Sequence, residues 1–449
     1  CEGNKMDRKR FLYFLKMEDL LVNKFMEMLG NKLMPLAAKL GENRYLSSLR
    51  DAFMLAFPLT MFGSIAVVLM NLPFWSDSTK EMLQLYLGNA QNATMSIMTV
   101  FVVFGIGYSL SNYYKVEAIY GGAVALASFL ILTPFFFNSA KGELITGALS
   151  LDRLGAKGMF IGMITAFIAA ECYRFFVRKN WTIKMPPGVP PAVAKSFAAL
   201  IPAILTLTIF LTINIIVQAG FDTNLHDVIY TVIQKPLVGL GSGIVPTLIA
   251  LFFVQLLWFF GLHGQIIVNS VMDPIWNTLM LENLEAYKAG NPLPHIITKP
   301  FMEVFTVGMG GSGMTLAVVI TLAFFMKSKQ SKEIGRLALG PGIFNVNEPV
   351  LFGMPIVLNA TILIPWIVAP LIVTLFNYFV MAAGIVPAPT GVAVPWTVPI
   401  VLNGILATNS WLGGALQIVD FFIVFVIWYP FLTLVDRSNL ARESVAAEE

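Results

Sequence analysis

Charge is scarce in this sequence. Of 449 residues only 12% are Asp, Glu, Lys or Arg, about half of what a soluble domain carries. A chain that is also 57% hydrophobic, with 36 Phe, has lipid rather than water as its main solvent. Cysteine is nearly missing too. Cys1 and Cys172 form no Cys-x-x-Cys spacing, which excludes a disulfide framework and the usual zinc or iron–sulfur arrangements. With three histidines, no metal-ligand spacing, no Ser/His/Asp arrangement and no dinucleotide fingerprint, the sequence predicts neither metal nor cofactor. The net charge of +3 is spread over the N-terminus and a few loops, so no nucleic-acid-binding face is expected. The basic start is not followed directly by a short apolar segment with a small-residue cleavage site, so no cleaved signal peptide is expected.

What the sequence has is long apolar runs. They cover 51–72, 95–111, 117–137, 158–177, 196–219, 242–262, 303–326, 356–384 and 415–435. Each is near the ~20 residues that cross a bilayer as helix. An outer-membrane barrel would instead show alternating segments of ~10 residues. The expectation is an all-α polytopic membrane protein. Residues 18–48 differ: Leu20, Leu21, Phe25, Met28, Leu29, Leu33, Leu36 and Leu40 recur at helical spacing among Lys24, Lys32, Lys39 and Arg44. That pattern suits an amphipathic helix, lying either on the membrane surface or on the protein's own cytoplasmic side.

Lys and Arg mark cytoplasmic loops. They gather before residue 51, in 174–195, in 327–336 and at Arg437 and Arg442, which predicts both termini inside. From about residue 235 the pattern changes. Stretches 263–302, 338–355 and 386–411 are polar or rich in Pro, Gly, Asn and Trp. Broken backbone is tolerated at membrane depth only when protein or a watery cavity covers it, and transporters place substrate sites there. Four parts follow: a 1–48 cytoplasmic or amphipathic segment, a regular half over 49–235, an interrupted half over 236–436, and a 437–449 tail.

Inside the interrupted half, GPGIFNVNEPVLFGMP (340–355) holds Glu348 between helix breakers. A carboxylate in a membrane segment costs roughly 2.5–3.5 kcal/mol on insertion scales, which makes it a functional candidate. Pro349 disfavours α conformation at Glu348, and Asn345, Asn347 and Asn359 flank it with amides. The competing role is a polar turn at the cytoplasmic surface. In WFFGLHG, His263 can donate to one partner and accept from another, or simply bond backbone at the interface. His226 and His295 fall in polar stretches and read as ordinary loop residues. Trp258, Trp276, Trp366, Trp396 and Trp411 crowd the same half. Aromatic faces can stack on sugars, but interface anchoring is the commoner role, with Trp396 in TGVAVPWTVP the best exception. VGMGGSGMT (307–315) lacks the Lys-Ser/Thr of a phosphate-binding loop and predicts close packing or a hinge.

Together GPGIFNVNEPVLFGMPIVLN and WFFGLHG resemble the sugar-transporting enzyme IIC component of the phosphoenolpyruvate-dependent phosphotransferase system, in its lactose/cellobiose/diacetylchitobiose family. The resemblance runs from the charged start to residue 435. It implies about ten spans with re-entrant hairpins, matching nine runs plus one interrupted stretch. It further implies a homodimer in the bacterial inner membrane, with residues 49–235 as the dimer scaffold and 236–436 holding the sugar. A disaccharide would be carried inward and its 6-hydroxyl phosphorylated by a phosphocysteine on the partner protein IIB, itself supplied by IIA. Cys172 lacks the setting of such a donor, which is expected on a separate chain. By the same resemblance Glu348 orients the attacking hydroxyl and His263 bonds the sugar beside it. Asn345, Trp396, Trp258 and Asn138 are expected in the pocket. The competing function is a proton- or sodium-coupled sugar transporter, in which Glu348 would carry a proton.

Overall fold

The computed structural model describes Lys39 and residues 43–448 except 71–74, 139–143, 222, 355, 357 and 358. Most of the predicted amphipathic helix over 18–48 lies outside the described residues. Its last residues belong to the first long helix.

The regular part is built from α1 (Arg44–Met70), α2 (Asp77–Asn92), α3 (Met98–Tyr113), α4 (Ala118–Leu132), α5 (Met159–Arg178) and α6 (Pro191–Phe221). Small residues set how closely these helices approach. An added Cβ at Gly105 would lie 2.8 Å from the Ala52 Cα, and one at Gly107 2.6 Å from the Ala125 Cβ. A two-stranded antiparallel hairpin, β1 (Phe136–Asn138) and β2 (Leu144–Thr146), follows α4. The bent helix α7 (Leu225–Gly241) then leads into α8 (Ile244–Phe259) at a 71° turn.

The remainder comprises α9 (Gly264–Lys288), α10 (Lys299–Val304), α11 (Leu316–Phe324), α12 (Lys329–Ile343), α13 (Glu348–Gly353), α14 (Ala360–Ala382), α15 (Leu402–Thr408) and α16 (Trp411–Glu448). Among the described residues six helical stretches are long and apolar enough to cross a bilayer, or seven counting the bent α7–α8 pair. The chain is therefore an all-α, multi-pass membrane protein.

Three expectations fail in detail. The run 303–326 is not one span. It breaks between α10 and α11 because Gly310, Gly311 and Gly313 take φ of 86°, 80° and 73°, which only glycine adopts easily. Conversely, 264–288 is not broken. α9 runs through Pro274 as a single 25-residue helix. Two of its polar residues are held by partners: Asn277 donates to the Asp273 carbonyl at 2.8 Å, and Lys299 Nζ lies 2.6 Å from Asp273, bridging it to Glu303 at 3.2 Å. Finally, Trp276 and Trp366 do not anchor an interface. They are 1% and 0% exposed, Trp276 in one buried cluster and Trp366 in another beside Trp428.

Candidate functional site

Glu348 opens the six-residue α13, with Pro349 behind it and its side chain exposed. No hydrogen bond or ion pair within the described residues occupies its carboxylate. The turn that presents it is, by contrast, fully tied down. Asn345 adopts φ 64°, a left-handed conformation that Asn tolerates better than most residues. Its buried amide accepts from the Gly310 N–H at 2.6 Å and donates to the carbonyls of Trp396 (2.6 Å) and Val398 (3.1 Å). One side chain thus joins three separate loops. Asn347, also buried, donates to the Ser312 carbonyl at 2.9 Å. Asn359 is committed to capping α14 through the Thr361 N–H.

Across the glycine loop stands His263, the N-cap of α9, whose Nδ1 accepts from the Ile266 N–H at 3.4 Å. Because Nδ1 is an acceptor there, the ring proton of the neutral form sits on Nε2 and can be offered to a ligand. The ring stacks obliquely on Trp258, with centroids 4.3 Å apart. Glu348 lies near enough for its charge to act on His263. Trp396 is 47% exposed, so its ring is available while its carbonyl is held by Asn345.

Two residues that the sequence reading passed over complete the connection. Gln265 Oε1 accepts from Trp258 Nε1 at 2.5 Å and from Ser312 Oγ at 2.7 Å. Ser312 therefore reaches the His263 side through its hydroxyl and the Glu348 side through its carbonyl. The available signals were a polar residue two positions after His263 and the one hydroxyl inside a glycine run. The glycine loop itself is closely packed: a Cβ on Gly311 would meet the Asn345 carbonyl at 2.9 Å, and one on Gly313 the Trp366 ring at 2.4 Å. Trp428 Nε1 donates to the Gly313 carbonyl.

The structure thus gathers Glu348, His263, Asn345, Trp258 and Trp396 around one loop. Asn138 ends β1, paired with Leu144 across the hairpin that follows α4. The histidines read as ordinary loop residues have definite partners. His295 meets Glu282 at 2.6 Å, and His226 is buried against Thr133. Among the described residues no group of His, Cys, Asp and Glu is arranged to hold a metal ion.

An exposed carboxylate beside an imidazole N–H and an accessible indole can hold a hydroxylated ligand. The carboxylate accepts from a hydroxyl, the imidazole donates, and the aromatic face covers a sugar ring. Residues 50–370 match the family described as Phosphotransferase system, EIIC. The chain is 64% identical over 425 residues to the oligo-beta-mannoside-specific EIIC component of Bacillus subtilis, covering 94% of this chain and 96% of that protein. It is 41% identical to the cellobiose-specific EIIC component of Geobacillus stearothermophilus, covering 94% and 96%. A solved structure, the transporter ChbC, is the IIC component from the N,N'-diacetylchitobiose-specific phosphotransferase system. It superposes with a TM-score of 0.88 at 41% identity, covering 93% of this chain and 99% of that one. The chain belongs to the EIIC family of sugar permeases of the phosphotransferase system.

Proposed function

We propose that this chain binds a β-linked disaccharide or short oligosaccharide, moves it inward and presents its 6-hydroxyl to a phosphorylated IIB protein. The observation that carries the reading is Glu348: a carboxylate with no partner among the described residues, on a turn whose two asparagine amides are already bonded. Such a site is arranged for a ligand hydroxyl. The hydroxyl hydrogen-bonds to Glu348 and gives up its proton as oxygen attacks phosphorus. The bond from phosphorus to the IIB cysteine sulfur breaks, and thiolate leaves. Phosphoryl transfer has a loose transition state, so orientation of the hydroxyl matters more than base strength. His263 Nε2–H donates to an adjacent sugar oxygen, Trp396 covers a ring face, and Trp258 backs His263.

About ten spans with re-entrant hairpins, a homodimer built on residues 49–235, and cytoplasmic termini belong to the same proposal. So does the sugar-carrying half over 236–436. Cellobiose, diacetylchitobiose and lactose are candidate substrates. The 64% identity to an oligo-beta-mannoside component supports β-mannosides as a further and leading candidate.

The test is uptake into vesicles loaded with the upstream phosphotransferase proteins. Phosphorylated sugar should accumulate inside, independent of a proton gradient. Free sugar whose uptake collapses with the gradient would make the protein an ion-coupled transporter instead. Glu348→Gln should retain sugar binding while phosphorylation falls on the order of a hundredfold or more. A binding panel of labelled mannobiose, cellobiose, diacetylchitobiose and lactose identifies the substrate.

A further inference from the structure

Unlike the exposed Glu348, Asp420 is a buried acid, placed where the bilayer-crossing helix α16 meets α14. Asp420 is 1% exposed. Its Oδ2 accepts from Asn377 Nδ2 at 2.9 Å, and Asn377, 0% exposed, gives its other amide hydrogen to the Phe305 carbonyl at 3.0 Å. Both donors of that amide are then used. Two oxygens of this pair remain buried without a partner among the described residues: Asp420 Oδ1 and Asn377 Oδ1. They belong to the same two groups that the Asn377–Asp420 bond already joins.

Among the described residues no counter-charge faces this pair. Helices α11, α14 and α15 and the loop 305–315 contain no charged residue. Glu303, the nearest acid in sequence on α10, is paired with Lys299. The charges of α12 meet the far end of α16, where Glu443 accepts from the Lys329 and Gln330 N–H groups. That end lies more than 20 Å along the helix from Asp420 at about 1.5 Å per residue. An ionised Asp420 would be a buried charge with a single hydrogen bond, an arrangement membrane interiors disfavour strongly.

We propose that Asp420 is a proton-binding site, its acid form donating from Oδ1 to Asn377 Oδ1 and closing a two-bond acid–amide pair. One proton satisfies both orphaned oxygens and removes the charge. The neutral pair then holds the Phe305 carbonyl and so fixes the entry to the glycine loop beneath Glu348 and His263. Gln417, one turn before Asp420, supports the same segment by donating to the Val304 carbonyl at 3.1 Å. The rival occupant is an alkali cation, which would use the same oxygens together with the unpartnered Thr374 Oγ1.

Infrared difference spectroscopy on the full chain in nanodiscs at neutral pH separates these. Wild type minus Asp420→Asn should show the C=O stretch of a protonated acid, unchanged between sodium-free and sodium-containing buffer. Asp420→Asn supplies an amide donor in place of the acid, so its sugar affinity should stay within about twofold. Absence of the acid band overturns the proposal, as does a band lost on adding sodium together with a rise in thermal stability. Should Asp420→Asn fail to fold, Asn377→Ala keeps the acid and removes its partner. The acid band must then shift, and an unshifted band overturns the pairing.

Discussion

The helices before residue 235 and the segments after it keep backbone polar groups from lipid in opposite ways. In the first region the groups are satisfied within continuous helices, and glycine serves proximity: Gly105 against Ala52, Gly107 against Ala125, Gly121 against Ser111. In the second region helices are interrupted, and side-chain amides take over the bonds that a helix would have made. Asn345 donates to Trp396 and Val398, Asn347 to Ser312, Asn377 to Phe305, Asn403 to Gly308 and Gln417 to Val304. Irregular backbone persists at depth only where protein partners cover it. The amide-rich half can therefore present groups to a ligand, at the expense of depending on single side chains.

That contrast can be broken at several points. The largest effect is expected at Lys299, whose ammonium lies between Asp273 and Glu303. Lys299→Met leaves two largely buried carboxylates facing each other and should destabilise by about 3 kcal/mol, read as a lowered unfolding midpoint in detergent. Asn345→Ala comes next. It strands the Gly310 N–H and the Trp396 carbonyl, while the Val398 carbonyl keeps its bond from Asn403, which predicts a loss of roughly 2 kcal/mol. Because the Glu348 turn loosens with it, phosphorylation should fall further than sugar binding. Equal loss of both would make Asn345 a plain ligand contact. In the regular half, Gly107→Ala forces α3 from α4 and should cost about 1–2 kcal/mol while leaving the sugar preference untouched. The smallest change is Lys195→Ala. Its pair with Glu117 is 54% and 40% exposed, so removal should shift stability by less than about 1 kcal/mol. A Lys195 effect as large as that of Lys299 would erase the distinction.

Much of this was legible in the sequence where apolar length alone decides, as in α1, α5, α6, α14 and α16. It was less legible where conformation overrides hydropathy. The run 303–326 is apolar enough to span, yet three glycines with positive φ turn it back. VGMGGSGMT announced packing or a hinge without saying which. α9 was obscured in the other direction, because Asp273 and Pro274 look like loop residues until Lys299, 26 positions away, is seen against Asp273. Glu348 and His263 stood out because an acid and an imidazole are rare in such a chain. Gln265 and Ser312 did not, since their role lies wholly in what they touch.

Ser312 has a consequence beyond holding a loop. Its hydroxyl bonds Gln265, two positions after His263, and its carbonyl takes the Asn347 amide beside Glu348, so one residue gauges the spacing between the two segments. Under the proposed function, changes elsewhere in the pocket would alter which sugar fits without moving Glu348 relative to His263. Relatives that differ in cargo should vary along the Trp396 wall and keep this gauge length unchanged.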